Sequence, residues 1–320
     1  MDTRLVTIFG GSGFLGRHTV RALAKAGWRI RVAVRHPNST FFLKTAGAVG
    51  QIAAVKCDVT DPDQVAAALS GADAVVNLCG VLTQRGQGFE DVHSDGAHNI
   101  GEAAARAGVK AVVHVSAIGA SAQSDSRYAQ SKALGETRLR AAFPAATILR
   151  PSIVFGPEDN FFNLFASLAR FVPVLPLIGG GKTKFQPVFV GDVAAAIARA
   201  LDSEPARGKT YELGGPNIYT FKQLLQIVCK ETGRKRLLVP VPFGLAMWNA
   251  FFLQMGPGPL LTVDQVRLLK SDNVVSPGAL TLADLGITGN SVEAEVPSYL
   301  WRYRAKGEYA LLADAAKFKA

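Results

Sequence analysis

The sequence predicts an α/β protein built on a doubly wound parallel sheet, with a smaller mixed region towards its C-terminus. Two observations carry this. The first is the stretch Leu5-Val-Thr-Ile-Phe-Gly10-Gly-Ser-Gly13-Phe-Leu-Gly16, in which β-branched and aromatic residues run into glycines spaced three apart. The second is the alternation that follows, short apolar runs separated by helices of ordinary length, with no internal repeat or low-complexity tract between them.

Leu5 to Phe9 reads as the first strand, and Arg17 to Ala26 as an amphipathic helix carrying Val20, Leu23 and Ala24 on one face. Strand, glycine turn and helix together make a phosphate-binding unit of the Rossmann type. Gly10 allows the tight turn, Gly13 lets the backbone approach a pyrophosphate, Gly16 lets helix and strand pack closely, and the helix N-terminus offers free N–H donors. A βα turn that needs glycine for backbone reasons alone would look similar; the flanking strand and helix favour the nucleotide site.

Trp28 to Arg35 reads as the second strand. NAD sites usually place an acid at its end, whereas here the chain has Val34-Arg35-His36. A planar guanidinium fork suits a 2′-phosphate, so Arg35 predicts NADP(H); a solvated strand-end arginine is the alternative. Gln51 to Lys56 is a third strand closing in Cys57-Asp58-Val59, where Asp58 could accept a hydrogen bond from adenine. Asp61, just before Pro62, reads as a helix N-cap. Ala74 to Asn77 is the fourth strand, with its turn through Leu78 to Gly80, and a helix is expected from about Phe89 to Ala107.

Lys110 to Ser116 is the fifth strand. A polar loop then leads to a helix opened by Tyr128-Ala-Gln-Ser-Lys132. Tyr128 and Lys132 lie four apart and share one helical face. An ammonium near a phenol favours the phenolate, which makes Tyr128 a candidate general acid/base, with Lys132 also able to reach a ribose hydroxyl. The same spacing is common on surface helices, so it is weak on its own.

A chain of 320 residues that is 48% hydrophobic can bury a large core, which excludes fibrous and disordered classes. The formal charge of +10 favours phosphate, nucleic acid, an acidic protein or an anionic membrane surface without choosing among them. An RNA-binding or redox-sensing module is the weakest of these readings, because no aromatic-basic sheet signature is present. Cys57, Cys79 and Cys229 form no CxxC pair and the five histidines are scattered, so neither a disulfide framework nor a metal site is expected, and a reducing compartment is. A first strand starting by about Leu5 leaves no room for a signal or transit peptide, which predicts a cytosolic-facing protein.

Past Pro151 the pattern changes. Phe161, Phe162, Leu164, Phe165, Leu168 and Phe171 form an apolar helical stripe, with packing as its default role. Thr220 to Thr232 reads as a threonine-capped helix stopped by Gly233. Leu237 to Thr262 is strongly apolar but broken by prolines and glycines, so it does not read as one spanning helix. Arg234-Lys-Arg236 ahead of Trp248, Phe251 and Phe252 suits an interfacial element, and a helix buried in its domain or against a partner is an equal alternative. Trp301, Arg302, Tyr303 and Arg304, followed by Lys306, Tyr309, Lys317, Phe318 and Lys319, read as a docking tail. The expected domains are residues 1–150, a nucleotide-binding domain, and 151–320, a smaller region interleaved with the first domain's sheet.

These residues resemble the extended short-chain dehydrogenase/reductase superfamily. The resemblance rests on the glycine motif, Asp58-Val59, Asn77 with Gly80, Tyr128 with Lys132, Arg150-Pro-Ser-Ile-Val-Phe-Gly-Pro157, and Pro187-Val-Phe-Val-Gly-Asp192-Val-Ala, and it covers about the first two-thirds of the chain. Gly156 to Asn163 and Pro176 to Pro187 look more narrowly like the atypical branch that contains the NADPH-binding accessory subunit of respiratory complex I. The resemblance implies that NADPH is held by Gly10, Ser12, Gly13, Phe14, Leu15, Gly16, Arg35, Asp58, Val59, Leu78, Gly80, Lys132, Pro151 and Ile153, with Tyr128 and Lys132 a vestigial catalytic pair. It also implies peripheral-arm and membrane-proximal subunits of the complex as partners, a lipid or quinone contact, and no nucleic acid. The implied location is the cytoplasmic face of a bacterial inner membrane or the equivalent matrix face, held peripherally.

The chain departs from the family pattern at one point. Ser116 stands only twelve positions before Tyr128, and the residue two beyond it, where the family often keeps its hydroxyl, is Ile118. A tyrosine without a second donor is poorly equipped to stabilise a developing oxyanion. The expectation is therefore a bound cofactor with doubtful turnover, and the alternative is a working NADP(H)-dependent reductase or epimerase.

Overall fold

The computed structural model describes residues 4–82, 87–256, 261–305 and 307. Its first elements are β1 (Leu5–Phe9), α1 (Phe14–Lys25), β2 (Arg29–Val34), β3 (Ile52–Lys56), α2 (Pro62–Leu69), β4 (Ala74–Asn77), α3 (Gly96–Arg106), β5 (Ala111–Val115), α4 (Arg127–Ala142) and β6 (Thr147–Pro151). Then follow β7 (Val154–Phe155), α5 (Phe162–Phe171), β8 (Val174–Ile178), β9 (Lys184–Phe185), β10 (Val188–Phe189), α6 (Val190–Asp202), β11 (Thr210–Leu213), β12 (Tyr219–Thr220) and α7 (Phe221–Glu231). The last are β13 (Leu237–Val241), α8 (Phe243–Leu253), α9 (Val263–Leu268), α10 (Val292–Glu295) and α11 (Pro297–Leu300).

The chain forms two compact units. One holds the residues through Pro151 together with Val190–Leu213 and Val275–Thr288; the other holds Ser152–Phe189, Gly214–Val274 and the residues from Gly289 on. The chain thus returns twice to its first unit.

In the first unit seven strands run in the order β11-β6-β5-β4-β1-β2-β3, every pair parallel. From β1 the sheet grows one way through β2 and β3; the chain then crosses back to β4 and grows the other way. Right-handed crossovers in opposite directions put helices on both faces. α1 packs with α6, while α2, α3 and α4 pack together. β4 and β5 are wholly buried, as the apolar runs Ala74-Val-Val and Ala111-Val-Val require of a sheet covered on both sides.

Two helix starts differ from expectation. Gly13 is extended and caps α1, so Phe14 to Gly16 are already helical, three residues before Arg17. The helix expected from Phe89 begins instead with a π-helical turn, Glu90–Asp95, before α3. α4 crosses that turn so closely that a Cβ on Gly135 would overlap the His93 carbonyl oxygen. Asp61 caps α2 as expected, accepting from the N–H groups of Asp63 and Gln64.

The second unit has its own core, with Phe155, Phe162, Leu175, Phe185, Phe221 and Leu300 at its centre. α7 opens on a reciprocal cap between Thr220 and Gln223 and ends before Gly233, whose φ is +65°. The apolar span divides at Pro242 into β13, which pairs with β8, and α8. Trp301–Tyr303 is a 3-10 turn rather than a free tail: Tyr303 packs on the core, and Arg304 donates from Nε to the Glu231 carbonyl at 2.7 Å. Buried Asp159 anchors this end by accepting from the Tyr299 hydroxyl at 2.8 Å. Lys306, Tyr309, Lys317, Phe318 and Lys319 lie outside the described residues. No helix among the described residues is long and apolar enough to cross a membrane.

Candidate functional site

The predicted positions of the first unit gather beyond the carboxyl ends of its strands: Gly10 after β1, Arg35 after β2, Asp58 after β3, Leu78 and Gly80 after β4, Ser116 after β5, and Pro151 ending β6. Because β1 lies between β4 and β2, its glycine turn sits where the strand order reverses, the usual ligand crevice of such sheets. Ile153 lies in the second unit.

The turn is shaped for an anion. Gly10 has φ +77°, and a Cβ there would come within 3.1–3.2 Å of the Leu78–Cys79 backbone. A Cβ on Gly16 would lie 2.5 Å from the Gly10 carbonyl oxygen. Gly13 is different, since a Cβ there would meet nothing closer than 3.5 Å. The protein's own packing does not require glycine at 13, whereas a pyrophosphate approaching this backbone would. The Gly13 N–H donates to the Gly10 carbonyl at 3.2 Å, and α1 begins without a side-chain cap, so the N–H groups of its first turn, Phe14 to Gly16, are available to phosphate oxygens. These residues fit a dinucleotide.

At the adenosine end Arg35 is exposed and donates from Nη1 to Gln87 Oε1 at 3.2 Å. Gln87 in turn donates from Nε2 to Asp58 Oδ2 at 2.7 Å, and Thr60 donates to Oδ1 from both its N–H and its hydroxyl. Partial burial pushes the Asp58 carboxyl up, but these hydrogen bonds and the nearby Arg35 charge outweigh it and hold the group below its usual range. Val59 is buried against Gly96.

The other end is built on α4. Lys132 is buried and donates from Nζ to the Val115 carbonyl at 3.2 Å; a Cβ on Gly80 would be 3.3 Å from that nitrogen. Burial pulls Lys132 down to about 8, against the opposing pull of Cys79 and Glu136. Tyr128 packs edge-on against His93 and Phe89, with ring centroids 5.4 and 6.0 Å away. Burial pushes its phenol up to about 12. Lys132 donates to a backbone carbonyl, and burial disfavours the phenolate that the spacing of Tyr128 and Lys132 predicts.

His93 is the residue that sequence reasoning left without a role. The Val81 N–H donates to its Nε2 at 2.9 Å, so Nδ1 carries the proton and donates to Ser131 Oγ at 2.9 Å. The Ser131 hydroxyl passes the chain on to the Tyr128 carbonyl at 2.8 Å. Burial and the Lys132 charge push His93 down to about 3, which keeps this tautomer neutral. One imidazole thus ties the turn after β4 to the helix of Tyr128 and Lys132. Its spacing from Phe89, Gly96 and Ile100 along a buried helical face was the one signal in the sequence.

Beneath them His114 accepts from Asn77 Nδ2 at 3.0 Å, leaving its Nε2 proton without a partner among the described residues; the buried Ser116 hydroxyl also lacks one. Ser116 is 4% exposed and Ile118 is likewise buried. The chemistry that a bound nicotinamide would supply here is hydride transfer. On the protein's side Tyr128 can donate one hydrogen bond, Lys132 can hold a ribose hydroxyl, and position 118 offers no hydroxyl to share a developing negative charge.

Comparison with known proteins matches this arrangement. The model of the NAD dependent epimerase/dehydratase family matches residues 6–214. The subunit named NADH dehydrogenase [ubiquinone] 1 alpha subcomplex subunit 9, mitochondrial, of Arabidopsis thaliana is 38% identical over 95% of this chain and 79% of its own length. A ceramide reductase of Caulobacter vibrioides is 34% identical over 74% of each chain. Among solved structures, an NADPH-dependent quinone oxidoreductase from Escherichia coli shares the fold, with a TM-score of 0.74, 22% identity, and 92% of this chain and 99% of that one covered. The chain belongs to the NAD dependent epimerase/dehydratase family and, within it, to the group that contains the complex I alpha subcomplex subunit 9 proteins.

Proposed function

We propose that this chain is an accessory subunit of respiratory complex I that holds NADPH as a structural, non-catalytic ligand and sits peripherally at the inner membrane, on the complex's peripheral arm. The observation that carries this is the reach of the likeness to the Arabidopsis subunit. It runs over 95% of the chain, through the second unit as well as the nucleotide-binding one. Arg35 supports NADPH over NADH, since its guanidinium suits a 2′-phosphate and no strand-end acid replaces it. Ile118, where a hydroxyl would share a developing negative charge, supports binding without turnover.

A second reading, an NADP(H)-dependent reductase of a lipid-like carbonyl, is favoured by the ceramide reductase likeness and by Tyr128 with Lys132. That likeness covers only 74% of the chain. One experiment separates the two. The protein is isolated from its native membranes in mild detergent, co-purifying chains are identified by mass spectrometry, and the nucleotide released on denaturation is measured. Complex I subunits with stoichiometric NADPH support the first reading. A free chain whose nucleotide exchanges and is oxidised by a ceramide-type ketone overturns it.

A further inference from the structure

At the adenosine end of the first unit, a guanidinium and a carboxylate stand on either side of one neutral side chain. Arg35, the residue after β2, carries only donors, and the ionised Asp58 beyond β3 carries only acceptors. Between them lies the Gln87 carboxamide, whose Oε1 accepts from Arg35 Nη1 at 3.2 Å and whose Nε2 donates to Asp58 Oδ2 at 2.7 Å. The same Nε2 donates to Thr60 Oγ1 at 3.2 Å. The two charged groups fix which way the amide faces, since turned over it would set oxygen against carboxylate and nitrogen against guanidinium. Gln87 is half-buried, and all four residues belong to the first unit. The backbone beside it is anchored: the Gly88 N–H donates to Asp91 Oδ2 at 2.8 Å, in the π-helical turn.

This pairing copies a nucleotide. The exocyclic amine of adenine is a donor suited to Asp58, and a 2′-phosphate is an acceptor suited to Arg35; a carboxamide is the neutral side chain that offers one of each. We propose that Gln87 is a self-ligand of the adenosine subsite, an internal competitor whose carboxamide must swing out before Asp58 and Arg35 can hold NADPH. The inference rests on the NADPH reading of the site and goes beyond it, by adding a residue that sets how readily the nucleotide enters. Three hydrogen bonds hold the carboxamide, two of them to charged groups. Each contributes modestly once exchange with water is counted, so together they leave the subsite open in about a tenth of the molecules. Apparent affinity falls by that fraction for any adenosine ligand, with or without a 2′-phosphate. The loss falls on association, because a displaced carboxamide has no hold on a ligand already bound.

The test compares the purified full chain, freed of nucleotide by dialysis and still folded by circular dichroism, with Gln87→Ala. Calorimetry measures binding of two probes, adenosine 2′,5′-bisphosphate and 5′-AMP, and stopped-flow fluorescence follows NADPH. Gln87→Ala should bind both probes about 10-fold more tightly, take up NADPH about 10-fold faster and release it at the wild-type rate. Gln87→Glu, whose carboxylate holds Arg35 and repels a 2′-phosphate, should bind the bisphosphate more weakly than wild type does. Unchanged or weaker binding of both probes by Gln87→Ala overturns the proposal and leaves the nucleotide site standing. A gain confined to one probe, or one that appears in the release rate, overturns it too. A wild-type chain that prefers 5′-AMP to the bisphosphate overturns the NADPH reading, and the proposal with it.

Discussion

Gly16→Ala sets two effects of opposite sign against each other. Inside a helix alanine is favoured over glycine by about 1 kcal/mol. At this position, however, the new Cβ would lie 2.5 Å from the Gly10 carbonyl oxygen, 2.5 Å from the Gly11 carbonyl carbon and 2.6 Å from the Gly11 Cα. Ordinary contacts lie at about 3.5–4.0 Å, so the overlap is roughly 1 Å against three backbone atoms, and no flexible side chain can swing aside. Overpacking of this kind costs about 1–3 kcal/mol, and with three backbone atoms overlapped the upper end applies, which leaves a net loss of about 2 kcal/mol and a melting temperature a few degrees lower. The larger effect falls on the ligand. Relief requires the turn from Gly10 to Gly13 to move by about 1 Å relative to α1, which displaces the donors aimed at the pyrophosphate and lowers nucleotide retention about 100-fold. Wild type and variant are purified in parallel, denatured, and the nucleotide released per chain is quantified beside thermal melts. Full occupancy with an unchanged melting temperature would refute the close packing of helix on turn.

Arg35→Glu places a carboxylate where a 2′-phosphate would sit, beside Asp58; NADPH retention should be lost while stability stays within about 0.5 kcal/mol, because the side chain is exposed. Unchanged NADPH occupancy in the purified variant counts against the role given to Arg35. His93 and His114 are both held near 3, chiefly by burial, against 6.5 in an open chain. Between those values the unfolded chain binds more protons, so stability is complete above about pH 6.5 and falls as pH drops towards 3, by at most about 1.4 kcal/mol per pH unit for each ring. Urea midpoints measured from pH 7 to 4 check this, and a flat profile would contradict it. Glu136→Gln removes the bidentate partner of Arg150, whose Nε and Nη2 reach the carboxylate at 2.9 and 2.7 Å. Breaking a buried pair costs about 3–5 kcal/mol, softened here because Glu212 lies 3.8 Å from the same guanidinium, so a loss near the lower end is expected from chemical denaturation.

The first unit was legible wherever local pattern and chemistry agree. Leu5 to Gly16 specifies strand, turn and helix because each residue type there answers a backbone requirement, and the structure differs only in starting α1 at Phe14. The caps at Asp61 and Thr220 were readable for the same reason, since a cap is satisfied within four residues of itself. β11 escaped notice because Thr210-Tyr-Glu-Leu is short and half polar. Glu212 is tolerable in that strand because the Ser276 N–H donates to its carboxylate at 2.7 Å, and Ser276 is sixty-four residues away. Tyr128 and Lys132 could be paired from spacing, yet their protonation could not, because it depends on how much water the fold removes.

The sequence by itself determined the α/β class, the glycine turn, the basic strand end at Arg35 and the missing hydroxyl at Ile118. Each is a property of a few neighbouring residues, and the chain can satisfy it locally. Only the tertiary structure decided that His93 links Val81 to Ser131, that the Asn77 side chain meets His114 across β4 and β5, and that α8 turns its alanines inward and its aromatic rings out. Hydrophobic periodicity reports which residues share a face. Which faces meet, and which is left in water, is set by strand order and helix crossing.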